Sequence, residues 1–203
     1  MQEILKQEKA DITKYKQNLS DLTVGIGWKS DKEILFDFSA ILADYNSTFI
    51  DKERFIFYQN PVLKGKRDDI IKFIPIEDIK NTHDFSDLQQ ITLSLFDIPN
   101  SVSEIIFCAA IYNNKENKFS LSDIKNLHFH IFNADTKEEI IFSRLDNYFT
   151  VESCLVFGKL YRQDEYWKYE NISEGYMGDL GSIFSMYYRG KEFKVLAEGD
   201  NNG

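Results

Sequence analysis

The sequence predicts a mainly β protein, an antiparallel β-sandwich with a short C-terminal helix and an N-terminal helix, on three observations. Short apolar runs recur from residue 21 onward, each bounded by turn formers. One of them, residues 104–112, is nearly continuously apolar, as a strand buried on both faces or a central sandwich strand would be. Helical spacing is confined to the two ends of the chain.

Taken in order, residues 1–20 are rich in Lys, Gln and Glu, and Leu5, Ile12, Tyr15 and Leu19 fall on one helical stripe interrupted by Glu8. Strand-like runs follow at 22–28, 35–43, 54–58, 70–74 and 90–96, the last closed by a turn containing Pro99. Residues 127–132 and 139–145, joined by Asn133-Ala134-Asp135-Thr136, read as a hairpin, and 153–161 with 166–172 read as another. Leu180, Ile183, Phe184 and Tyr187 have helical spacing behind Asp179, which suits a helix N-cap. About nine short strands with little helix between them favour a sandwich. The chain divides into a helical extension (1–20), one sandwich domain (21–190) and a frayed tail (191–203).

Composition removes several function classes. Hydrophobic residues reach 43%, enough for a core, so the chain is not a disordered linker. A net charge of −9 repels a phosphate backbone, which disfavours nucleic acid and anionic membrane surfaces. No run approaches the ~20 apolar residues of a membrane span, and the first residues lack an apolar signal core, so the expected compartment is the cytoplasm. Cys108 and Cys154 lie in apolar runs without CxxC spacing and read as buried, inert thiols, with a disulfide as the less favoured alternative.

Catalytic patterns are scarce. No nucleophile elbow, Walker loop, zinc-protease or dinucleotide motif occurs, so a non-enzyme is expected. His128 and His130 alternate on a strand, a possible pair of metal ligands. The more economical reading makes them the solvent face, with Leu127, Phe129 and Ile131 inward. The acidic loops near Asp31, Asp68 and Asp84 lack EF-hand order and read as solvated turns. Tyr161, Tyr166, Trp167, Tyr169, Tyr176, Tyr187 and Tyr188 crowd the C-terminal part; packing is favoured, with a partner surface as the alternative.

A wider pattern then emerges. Leu22-Thr-Val-Gly-Ile-Gly-Trp28 resembles the V-G-L-G-W strand of the TerD (tellurium resistance, stress response) family. Phe36-Asp37-Phe38-Ser39-Ala40-Ile41-Leu42 is similar to its D-L-D-A-S-A-F-L strand without the first Asp, and Phe55-Ile-Phe-Tyr-Gln-Asn60 to F-V-F-Y-N-N. Leu155-Val-Phe-Gly-Lys-Leu-Tyr-Arg162 resembles I-F-G-E-L-Y-R, followed by Trp167-Lys168 and Gly175-Tyr176. In order and spacing, the match covers about residues 21–190.

The resemblance implies a β-sandwich that binds calcium through acidic loops. It also implies erosion of those sites: Lys29 and Leu35 replace acidic positions, and Asn113 stands where the family has Asp. Asp37, Asp84, Asp87 and Asn113 are the residues left to build one weak calcium site, so the expected cofactor is none or one weakly bound calcium ion. The expectation is a divergent, non-enzymatic binding or scaffolding module of a bacterial stress-response or tellurite-resistance system. It would act on a protein partner through the N-terminal helix or an aromatic surface. The alternative is a calcium-binding stress protein that keeps the one acidic site.

Overall fold

The computed structural model describes residues 2–14, 19–65, 68–75, 87–112, 114, 118–145 and 148–190. Its strands are β1 (Gln2–Glu3), β2 (Lys9–Asp11), β3 (Asp21–Lys29), β4 (Phe36–Ala43), β5 (Phe55–Ile56), β6 (Val62–Lys64) and β7 (Asp69–Ile74). They continue with β8 (Gln89–Ser94), β9 (Glu104–Ile111), β10 (Lys125–Asn133), β11 (Glu139–Arg144), β12 (Cys154–Gln163) and β13 (Tyr166–Tyr176). One helix, α1 (Leu180–Tyr187), closes the described chain.

The strands form two sheets. Seven order as β1-β11-β10-β3-β8-β7-β6 and six as β2-β13-β12-β9-β4-β5. Every pairing is antiparallel except that of β1 with β11. Alternation decides what lies between the sheets: Val24 and Ile26 of β3 and Phe129 and Ile131 of β10 meet Phe38 of β4, Phe107 of β9 and Phe157 of β12. Both expected hairpins form, as β10–β11 and β12–β13.

Strand β9 is the central strand its composition predicts. It lies between β12 and β4, and all eight of its residues are buried. Ile105, Phe107, Ala109 and Ile111 face the inter-sheet core, whereas Ile106, Cys108 and Ala110 belong to a second apolar cluster on the outward face. Helix α1 covers that face with Ile183 and Phe184, and its N-cap is Asp179, which accepts from the Ser182 amide at 2.9 Å.

The N-terminal segment corrects the helical expectation. Residues 2–3 and 9–11 are edge strands, β1 on the seven-stranded sheet and β2 on the six-stranded sheet, and the chain between them crosses from one sheet to the other. Asn171 pins the crossing. Its backbone exchanges hydrogen bonds with Gln7 and Glu8, and its side-chain amide donates to the Ile4 carbonyl at 3.1 Å. Leu5, placed on the expected stripe, is 58% exposed, while its neighbour Ile4 is buried. Open sheet edges supply this segment with backbone partners on β11 and β13, whereas an isolated, highly charged helix is marginal in water. Tyr15 and the tail 191–203 lie outside the described residues. No helix among the described residues is long and apolar enough to cross a membrane.

Candidate functional site

The outward face of the seven-stranded sheet carries the most concentrated chemistry. His128 and His130 sit on β10 with Leu127, Phe129 and Ile131 turned to the core, as alternation requires. Yet the histidines are not on a solvent face: they are 5% and 1% exposed. The rings lie edge to face with centroids 4.8 Å apart, and Phe142 of β11 packs beside both. Across the sheet they stand opposite Gly27 and Gly25 of β3.

Gly25 leaves the space that Asp87 fills. A Cβ on Gly25 would come within 2.0 Å of Asp87 Oδ2, so any larger residue would collide with the carboxylate. Asp87 is 3% exposed. Its Oδ2 accepts from Gln90 Nε2 at 2.9 Å. Its Oδ1 faces His128 Nε2 at 3.7 Å and His130 Nε2 at 3.8 Å and has no hydrogen-bond partner among the described residues.

The far side of each ring is also engaged. His128 Nδ1 donates to the Asn126 carbonyl at 2.9 Å, and His130 Nδ1 donates to the Glu139 carboxylate. Both partners are acceptors only, so in each neutral ring the proton belongs on Nδ1 and the Nε2 lone pair points toward Asp87. Burial holds His130 below the ordinary imidazole range despite the pull of the Asp87 charge. One ligand atom from each of the three residues lies within 4.8 Å of the other two.

The expected acidic residues are not gathered at one place. Asp87 covers the seven-stranded face, while Asp37 of β4 points outward from the six-stranded sheet, in the opposite direction. Asp84 and Asn113 lie outside the described residues. Burial pushes the Asp37 carboxyl up to about 6. Around Asp87 the donor set is two imidazoles and one carboxylate, which does not suit calcium, a cation that takes six to eight oxygens.

On the six-stranded side Asp37 neighbours two exposed tyrosines. Burial, and then the Asp37 charge, push the Tyr58 phenol up, and its ring meets that of Tyr112 edge-on at 6.1 Å. The Tyr112 amide donates to the carbonyl of exposed Leu35. The C-terminal aromatics are mostly packing residues: Trp167 and Tyr169 are buried, and Tyr176, Tyr187 and Tyr188 pack against the helix-covered cluster. Both cysteines are free and buried, with thiols pushed up to about 12 chiefly by burial.

The family model for the TerD domain matches residues 1–187. The chain belongs to the TerD domain family. That match takes in residues 1–20, whose two strands are integral to the sheets. The chain is 27% identical to general stress protein 16U of Bacillus subtilis (strain 168) over 189 residues, covering 91% of this chain and 95% of that protein. It is 24% identical to the tellurium resistance protein TerD of Serratia marcescens, covering 87% and 91% of the two chains. The crystal structure of a homologue of the telluride resistance protein TerD from Streptomyces coelicolor A3(2) shares the fold, with a TM-score of 0.60 at 13% identity. It covers 82% of this chain and 96% of that one.

What sequence reasoning missed is the histidine pair as buried groups. A signal was present in the neighbouring strand. Ile140, Ile141 and Phe142 run continuously, so both faces of β11 are apolar and the outward face near His130 is covered. Asp87 and the two glycines then needed register to join the histidines, and register is a tertiary property.

Proposed function

We propose that this TerD-family chain is a non-enzymatic binding module of a bacterial stress-response or tellurite-resistance system, acting by recognition of a protein partner in the cytoplasm. Relatives named for general stress and for tellurium resistance support the system. The observation that carries the mode of action is the outward cluster of Leu35, Asp37, Tyr58 and Tyr112. Three large side chains are exposed around a half-buried carboxyl. Tyrosines supply large contact area at low entropic cost, and a carboxyl among them adds a directional acceptor. The inert thiols give no support to nucleophilic chemistry.

The test is affinity capture with the full chain and with Tyr58→Ser/Tyr112→Ser, in lysate of the native host. A partner retained by the first and lost by the second supports the reading. Equal recovery by both chains, or none by either, would overturn it. The alternative reading is a calcium-binding stress protein with one weak acidic site, which the separation of Asp37 from Asp87 disfavours. It is decided by melting in calcium, magnesium and chelator: ligand that binds the folded state alone raises the melting temperature.

A further inference from the structure

We infer that Asp87, His128 and His130 hold one divalent transition-metal ion of the zinc type on the seven-stranded sheet, at a site that does not select calcium. The donors are two neutral imidazole nitrogens and one carboxylate oxygen, the mixture that suits borderline first-row ions and not hard ones. Tetrahedral zinc at about 2.0–2.1 Å from its ligands implies ligand separations of roughly 3.3 Å. Both Nε2 atoms stand 3.7–3.8 Å from Asp87 Oδ1, about half an ångström beyond that separation, and all three ligand atoms lie within 4.8 Å of one another.

Two further observations separate this trio from a chance polar cluster. Asp87 Oδ1 is buried, aimed at the two rings and without a hydrogen-bond partner among the described residues. A carboxylate oxygen in that state is costly, and a cation compensates it. Every ligand also has an orienting contact behind it. Asn126 and Glu139 hold the Nδ1 protons of the two rings, and Gln90 holds the second oxygen of Asp87. Such supporting contacts set tautomer and direction in metal sites. Gly25 completes the arrangement, because only a residue without Cβ admits the carboxylate here. Three protein ligands leave one coordination position for water or another donor.

The test uses the full chain, stripped of metal and titrated with Co²⁺, Zn²⁺ or Ca²⁺ alone. The expected result is one Co²⁺ per chain with visible absorption of tetrahedral intensity, displaced by Zn²⁺ and unaffected by excess Ca²⁺. His128→Gln, His130→Gln and Asp87→Asn should each weaken Zn²⁺ binding by more than the roughly 10–100-fold typical of losing a supporting contact. Because these positions are buried, nitrogen NMR of the unaltered chain provides a readout independent of the variants. Zn²⁺ should move the Nε2 signals of two of the three histidines and leave their Nδ1 atoms protonated. Failure of the folded chain to take up Co²⁺ or Zn²⁺, uptake that leaves the imidazole nitrogens unmoved, or displacement of Co²⁺ by Ca²⁺ would each overturn the assignment.

Discussion

The two outward faces of the sandwich are covered by opposite chemistry. On the six-stranded sheet, Ile41, Ile106, Cys108, Cys154 and Val156 form an apolar floor, and α1 lies over it with Ile183 and Phe184. On the seven-stranded sheet, His128 and His130 form the floor, and Asp87 lies over them. Both surfaces are shut off from water, but burial stabilises them differently. Apolar atoms gain by leaving water whatever their orientation, whereas buried polar atoms must each find a geometrically suitable partner. The first face therefore depends on filled volume, and the second on individual distances and directions.

Substitutions on each face sharpen this contrast. The largest effect is expected from Phe184→Ala. Its ring packs against Phe49, Phe55 and Tyr188 at centroid distances of 5.1, 5.0 and 4.8 Å, and its loss should cost about 3–5 kcal/mol in denaturant unfolding. Histidine nitrogen shifts on the other face should stay in place. If they move, the two faces are coupled and the comparison fails.

Gly25→Ala comes next, at about 1–3 kcal/mol, because one methyl group must displace the Asp87 carboxylate. Here the histidine signals should change and the helix-covered face should not, which near-ultraviolet circular dichroism of the aromatics would report. An unchanged melting temperature would show that Asp87 does not occupy the space over Gly25.

Asp37→Asn is expected to stabilise. The native carboxyl titrates near about 6 against an ordinary 3.8, so the folded state binds the extra proton between those values. Above pH 6 the group is ionised in both folded and unfolded chains, and the cost of the buried charge is present in full. It falls away as pH drops toward 3.8, so acidification through this window favours folding at this position. The amide should raise stability at neutral pH by about 1–2 kcal/mol, with partial exposure discounted, and flatten this component of the pH dependence. Melts at several pH values, compared between the two chains, check both sign and window.

The smallest effect is Asp179→Ala. Loss of the cap on α1 should cost about 1 kcal/mol, and amide exchange should quicken in the helix alone.

Legibility in the sequence followed the range of the interactions. Strand β9, the two hairpins and the Asp179-capped helix were readable, because alternation, turn residues and caps act within a few positions. The N-terminal strands were not, since their partners, β11 and β13, lie more than a hundred residues away. The same reason hid the site. Alternation correctly put His128 and His130 on the face opposite Phe129, but it carried no information about what covers that face. Likewise Asp37 and Asp87 both read as oxygen ligands, and only the layering of the sheets placed them on opposite sides.

By itself, then, the amino-acid sequence determined the β class, the apolar core positions and, through ordered short motifs, membership of the TerD domain family. Local preference and hydrophobic period are written residue by residue, so they survive without knowledge of the fold. Tertiary structure decided which edges the first residues close, which face each acidic residue occupies, and that Asp87 meets two histidines over a glycine. Those outcomes depend on strand order and register between distant segments, where a shift of one residue would turn every side chain to the other face.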